Sequence, residues 1–264
     1  MRFAQASRVE QIAEGTWRAE IRPGWDIAGN TNGGYMLAIV GRAMAGAVGE
    51  GQPIAISAHY LSPGRPGPVD IDVRVLKRGR SFTTALATLR AGERPVMQVT
   101  ATFGRYNAAA QTHFMLGGPP DLPAPEECVE MVPGQSFPPP LMGQIEERLH
   151  PEDTGYMRGA PSGYPRVRGW FRLRDGEVHD PMTSLLAIDA FPPPAFNGHL
   201  PPGWTPTLQL SGHFRAAPGA GWLRCVHQTR FATGGFVEAD GEIWSQDGST
   251  LIAQSRQLAL VLQV

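Results

Sequence analysis

Ser184 to Phe196 reads SLLAIDAFPPPAF, an apolar run that holds one carboxylate, Asp189, and is cut off by Pro192, Pro193 and Pro194. An ionised carboxylate is costly to bury without partners. Met182, Leu185, Leu186 and Asp189 recur at i, i+3, i+4 and i+7. On a helix that spacing puts the acid on the face that buries. A carboxylate held there can take a proton from an attacking water as a general base, or attack an electrophilic carbon itself. It can equally cap the next turn or reach solvent at the helix end, because the prolines stop the helix close by.

Other residues of chemical interest are fewer. Cys225 and His227 alternate along a strand pattern and share a face, which fits a thiol–imidazole pair or a mixed buried face. His59 and His213 read as strand-end residues with structural roles. The seven histidines show neither HxxxH nor HExxH spacing, so no metal site is expected. No Gly-x-Ser-x-Gly is present, which argues against an α/β-hydrolase. GNTNGG, ending at Gly33 and Gly34, lacks the Gly-Lys-Ser/Thr ending of a phosphate loop. Two glycines at a helix start offer unpaired amides to a developing anion, or serve close packing alone. KRGR, Lys77 to Arg80, is the densest basic cluster; Arg78 and Arg80 could meet anionic groups of a ligand or form a solvated turn.

The elements that must position these groups are written largely in Gly, Pro and β-rich runs. The chain has 264 residues, 42% hydrophobic and 18% charged, which suits a globular protein with a sizeable core. Its net charge of −1 lacks the basic excess of a nucleic-acid binder. Two distant cysteines support no disulfide framework. The opening residues lack a signal-peptide core, and no run reaches the ~20 apolar residues of a membrane helix. A cytoplasmic location is the expectation.

The pattern repeats. Residues 59–82 and 213–236 align without a gap: His59 with His213, Pro68 with Trp222, Val73 with His227, Phe82 with Phe236. Each block opens His-aromatic, passes a Pro/Gly turn and a β-rich run, and leads into a hairpin, one turning at Gly92 and the other at Asp247-Gly248. Upstream of each lies a helix candidate. In NTNGGYMLAIVGRAMAGAVGEG, Leu37, Val40, Gly41, Met44 and Val48 share one face. Its glycines cost about 1 kcal/mol each against Ala, to be offset by close approach to a neighbour. In DPMTSLLAIDAF, Asp180 is an N-cap and Pro181 fits the first helical position, with Pro192 expected to end the helix. A strand precedes each helix, in GTWRAEIRPGW and PRVRGWFRLRDG. The Pro/Gly-rich interval between the halves reads as a covering linker, followed by an opening strand in LMGQIEERLH.

Five stretches resemble the acyl-CoA thioesterase II-like family, of the double hotdog thioesterase superfamily. They are GGYMLAIVGRA, HYLSPGRPGPVDIDVRVLKRGRSFTTALATLRAGERPVMQVTATF, PRVRGWFRLRDG, LLAIDA and GWLRCVHQTRFATGGFVEADGEIWSQDGSTLIAQSRQ. The resemblance implies an α+β double hotdog: two tandem units, each a central helix wrapped by an antiparallel sheet. Residues 1–107 would form the N-terminal unit, 108–136 the linker, and 137–264 the C-terminal unit with the catalytic acid.

It further implies hydrolysis of an acyl-CoA thioester to free acid and coenzyme A, without a cofactor, in fatty acid metabolism. The family's water-holding Asp, Thr or Ser, and Gln carry over to Asp189, Thr207 and Gln257. Strict spacing lands on Pro206, so Thr207 requires a one-residue gap, with Thr205 and Ser211 as alternatives. Asp189 would act as general base or attack directly to give an anhydride. Gly33 and Gly34 would face Asp189 and bind the thioester, and Arg78 and Arg80 the coenzyme A phosphates. Partners would be the acyl-CoA and further copies of the chain, in a homodimer or larger homo-oligomer. Hotdog hydratases pair an Asp with a His five residues on; position 194 is proline here. A non-catalytic acyl-CoA or fatty-acyl binding or scaffold protein on the same fold is the alternative.

Overall fold

The computed structural model describes residues 2–107, 114–134 and 138–261. The chain opens with α1 (Phe3–Ala6), β1 (Val9–Ala13), β2 (Thr16–Ile21), a small hairpin of β3 (Asp26–Ile27) and β4 (Asn30–Thr31), and the long helix α2 (Gly33–Val48). Four strands follow: β5 (Gln52–Tyr60), β6 (Gly67–Arg78), β7 (Thr83–Ala91) and β8 (Arg94–Gly104). After β9 (Val129–Glu130), β10 (Ile145–Leu149) and β11 (Arg166–Leu173) comes a short helix, α3 (Pro181–Ala187). The chain ends with β12 (Thr207–Phe214), β13 (Leu223–Gln228), β14 (Ala232–Thr233), β15 (Phe236–Trp244) and β16 (Leu251–Leu260). The class is α+β.

Among the described residues, fourteen strands form one sheet, in the order β1-β2-β6-β7-β8-β5-β12-β16-β15-β13-β11-β10-β9, with β14 beside β15. Its pairings are antiparallel. The order is palindromic about the β5–β12 seam: β6-β7-β8-β5 on one side, β12-β16-β15-β13 on the other. At the seam Ser57 faces Ser211. Those two positions are 154 residues apart, the same offset that separates His59 from His213. Positions equivalent at that offset thus face each other at the middle of the seam. Gln209 ties the seam, its Nε2 donating to Ser57 Oγ at 3.1 Å.

Helix α2 is apolar almost all round, as a helix enclosed on every side must be. Tyr35, Leu37, Ala38, Ile39, Val40 and Met44 are fully buried. Asn32 caps it, its Oδ1 accepting from Tyr35 N at 2.8 Å. Helix α3 starts as its sequence predicts, with Asp180 Oδ1 accepting from Thr183 N at 3.0 Å and Pro181 in the first turn. It ends at Ala187, earlier than Pro192 alone would require. The chain then tightens into 3₁₀-type turns, Asp189 N donating to Leu186 O at 3.1 Å and Ala190 N to Ala187 O at 3.4 Å. Asp189 therefore lies just past the helix, on a turn that continues its buried face.

The two helices touch through glycine. A Cβ on Gly34 would lie 2.8 Å from the carbonyl oxygens of Leu185 and Leu186, and one on Gly41 would lie 2.7 Å from Met182 Sδ and Leu185 Cδ1. These contacts are what the glycines of α2 gain for their helix-propensity cost.

Of the linker expected at 108–136, residues 108–113 and 135–136 lie outside the described residues. The remainder covers the sheet and also extends it. Leu122 and Cys128 pack with Trp170 and Trp222, and Trp170 Nε1 donates to Pro123 O at 2.9 Å. Strand β9 pairs with β10 at the sheet's end. Proline-rich composition concealed that strand, which is only two residues long.

Candidate active site

The turn after α3 brings Asp189 against the N-terminus of α2. Asp189 Oδ2 accepts from Gly34 N at 2.8 Å and from Asn32 Nδ2 at 3.1 Å. Asn32 Nδ2 also donates to the Asp189 carbonyl at 2.9 Å, which fixes the turn itself. The positive end of the helix dipole adds to these contacts. Gly33 cannot carry a side chain here: its Cβ would lie 2.7 Å from Tyr60 Cε1 and 2.9 Å from Asp189 Oδ2.

From the opposite side, Gln257 of β16 donates through Nε2 to Asp189 Oδ1 at 2.8 Å. The same nitrogen donates to Thr207 Oγ1, at the start of β12. With both amide hydrogens of Gln257 committed, the hydroxyl hydrogen of Thr207 is left to donate elsewhere. Pairing of β12 with β16 sets Thr207 and Gln257 side by side, through a register shift between Thr207 and Gln209. Of the alternatives, Thr205 lines the cavity described below, and Ser211 is engaged by Gln209 at the seam.

Every one of these partners of the Asp189 carboxyl is a donor, so the set suits the ionised form. Burial opposes it and prevails, raising the Asp189 pKa from 3.8 to about 6; the bonds from Gly34, Gln257, Gly33 and Asn32 hold it from going higher. That value is close to what a general base working near neutral pH requires. The carboxyl opens onto a cavity of about 380 Å³ between the halves. Asn32, Gly33, Thr207 and Gln257 line it together with Phe191 and Trp204.

The structure therefore brings Asp189, Thr207, Gln257, Gly33 and Gly34 together. The amides of the two glycines are turned toward the Asp189 carboxylate. It does not bring Arg78 and Arg80 there. Arg78 donates to the carbonyls of Ala47 and Val48, both at 2.9 Å, and so caps the far end of α2. Arg80 is exposed in the turn after β6.

Two nearby residues escaped the sequence reading. Asn32 was legible as an Asn preceding a helix, a frequent N-cap, although nothing local reveals its second bond to Asp189. Tyr60 carried no signal. Its buried hydroxyl lies over Gly33 and makes no hydrogen bond among the described residues.

Cys225 and His227 are buried on the inner face of β13. Burial pushes the Cys225 thiol well up and His227 down to about 4, which leaves both neutral and the thiol a poor nucleophile. Among the described residues, His150, Glu152 and Asp153 form one cluster with metal-ligand atoms. Arg168 already occupies it, with Nε 2.9 Å from Asp153 Oδ2 and Nη2 2.9 Å from Glu152 Oε2. Among the described residues no helix is long and apolar enough to cross a membrane.

Comparison with known proteins identifies the fold and the family. A candidate thioesterase II from Thermobifida fusca superposes with a TM-score of 0.91 at 28% identity, covering 99% of this chain and 98% of the other. A hotdog-fold protein of unknown function from Alicyclobacillus acidocaldarius superposes at 0.86, with 22% identity over 99% and 98% of the two chains, which identifies the fold as hotdog. An uncharacterized protein of Mycobacterium tuberculosis is 29% identical over 93% of this chain and 90% of its own length. The family model of the acyl-CoA thioesterase N-terminal domain matches residues 21–104, and that of the C-terminal domain matches residues 125–261. Matched across both halves in chain order, the protein belongs to the acyl-CoA thioesterase family.

Proposed function

We propose that the chain is a double hotdog thioesterase that hydrolyses an acyl-CoA to a free acid and coenzyme A. On this reading residues 1–107 and 137–264 are the two units, and the site lies where the second unit's Asp189 meets the first unit's helix. The observation that carries the reading is the three-residue contact Asp189–Gln257–Thr207 at the wall of a cavity.

The steps follow from the donors and acceptors. Thr207 donates its free hydroxyl hydrogen to a water, and Asp189 accepts one of that water's protons. The water oxygen attacks the thioester carbon as its proton passes to the carboxylate. The tetrahedral intermediate collapses with cleavage of the C–S bond, and the proton held by Asp189 passes to the leaving thiolate to give coenzyme A and restore the carboxylate. General-base action is favoured over direct attack by Asp189. Both of its oxygens are tied by donors, which hold the carboxylate in place beside a water rather than free to turn onto the thioester carbon. The raised pKa makes it a stronger base than an ordinary aspartate.

Free-thiol release on mixing the protein with acyl-CoAs of several chain lengths tests this. Release that disappears in a folded Asp189→Ala variant supports the esterase. Tight acyl-CoA binding without turnover would instead make the protein an acyl-binding module.

A further inference from the structure

The same cavity holds a second acid, one that the proposed reaction does not use. Glu147 is 0% exposed, and neither carboxyl oxygen has a hydrogen-bond partner among the described residues. It lines the cavity with Met131, Met142 and Phe191. Its place on β10 explains its direction. Ile145, Glu147 and Leu149 alternate onto the inner face, while Glu146 and Arg148 between them pair with each other on the outer face. Its strand neighbours on that face, Ile145 and Leu149, are fully buried, and the buried Cys225 thiol and Tyr156 hydroxyl lie near enough to feel its charge without Glu147 gaining a hydrogen bond among the described residues.

Such a group lowers stability. An unpaired ionised carboxylate in an apolar setting is prohibitive, so the group stays protonated; burial raises its pKa well above the ordinary glutamate value. Even neutral, an unsatisfied buried donor or acceptor costs about 1–3 kcal/mol. A leucine at position 147 would serve folding better. An acid kept at that cost in the wall of a ligand cavity points to a ligand group that completes it.

We propose that Glu147 selects acyl-CoA substrates whose acyl chain carries an uncharged oxygen, a hydroxyl or a ketone, by hydrogen-bonding that oxygen within the cavity. This rests on the acyl-CoA thioesterase reading above. The protonated acid offers one O–H donor and one carbonyl acceptor, which match a hydroxyl in both senses and a ketone in one. An anionic chain end fits poorly, since no Lys, Arg or His is among the described residues lining the cavity. A plain alkyl chain would leave the acid unsatisfied. Sites built to hydrogen-bond a substrate oxygen discriminate strongly against the analogue lacking it.

The test uses thioether analogues of acyl-CoA, which bind without being cleaved, all of one chain length. One is unsubstituted, a series carries a hydroxyl or ketone at successive carbons, and one carries a terminal amine. Binding of each to the wild-type protein, Glu147→Leu and Glu147→Gln is measured by titration calorimetry. The expected result is at least tenfold tighter binding of one oxygen-bearing analogue over the unsubstituted chain. Glu147→Leu should lose that preference and melt at a higher temperature. Glu147→Gln should keep most of the preference. Equal binding of all chains, tightest binding of the amine, no binding of any analogue, or an unchanged preference in Glu147→Leu would each overturn the inference. Because no turnover is needed, a lack of thiol release from true acyl-CoAs would sink the hydrolase reading without touching this result.

Discussion

Gln257 and Asp189 stand 68 residues apart in sequence, yet Gln257 Nε2 lies 2.8 Å from Asp189 Oδ1. One belongs to the last strand and the other to the turn after a short helix, so only the closed fold brings them together. The bond fixes which carboxylate lone pairs remain for a water.

Removing that bond should impair the chemical step more than binding. Gln257→Ala is expected to lower kcat about 10²-fold with little change in KM, since a misplacement of about 1 Å in a reacting group costs that much. Gln257→Glu sets a second carboxyl beside Asp189 and should raise the aspartate's pKa further. Its thiol release near neutral pH should fall below that of Gln257→Ala. Steady-state kinetics on the two variants checks both statements.

The raised pKa of Asp189 gives a pH signature. Thiol release should rise with pH through about 6 and then level, because the base must be ionised. Stability should move the other way. The folded value lies above the unfolded one, so the native state binds the extra proton between the two. Stability from this group is full below about pH 4 and is lost as pH rises through about 6, about 3 kcal/mol in all. Urea unfolding across that window should show the loss in the wild type and a smaller one in Asp189→Asn.

The two glycines of the helix contact should respond differently to a methyl group. Gly34→Ala meets the backbone carbonyls of Leu185 and Leu186, which cannot yield without parting the helices. It should destabilise by about 3 kcal/mol and also cut activity, because the Gly34 amide moves away from Asp189. Gly41→Ala meets only the side-chain ends of Met182 and Leu185. It should cost about 1 kcal/mol and leave kcat near the wild-type value. Thermal unfolding and thiol release on the pair provide the comparison.

A buried ion pair anchors the second half away from the site. Arg168 donates to Asp153 through its backbone N and its Nε, both at 2.9 Å, and both side chains are almost wholly enclosed. Asp153→Ala leaves a buried guanidinium with only Glu152 as its acid partner. It should destabilise by about 3–5 kcal/mol in denaturant unfolding.

Much of this was legible in the residues because it is locally encoded. Asp180 and Pro181 declared the start of α3, the shared face of Leu37, Val40, Gly41, Met44 and Val48 declared α2, and Gly92 and Gly248 sit at positive φ in the turns they were expected to make. The inward face of Asp189 survived an early helix end, because a tightened turn continues the same surface. What failed was long-range. Nothing near Arg78 says that the end of α2 lies within its reach, and nothing near Asn32 says that its side chain donates to a carboxylate 157 residues away. Glu147 was readable in principle from the alternation Ile145, Glu147, Leu149, but in EER three consecutive charged residues do not show which of them faces inward.

The account depends most on Asp189 as the base that activates water. The direct test is kcat for thiol release by Asp189→Asn at a pH where the wild type is fully active, with binding of an acyl-CoA thioether measured in parallel. A fall of about 10³-fold or more with thioether affinity retained is the predicted result. A folded variant that turns over within about tenfold of the wild type would contradict it, since general-base catalysis contributes at least about 10²-fold.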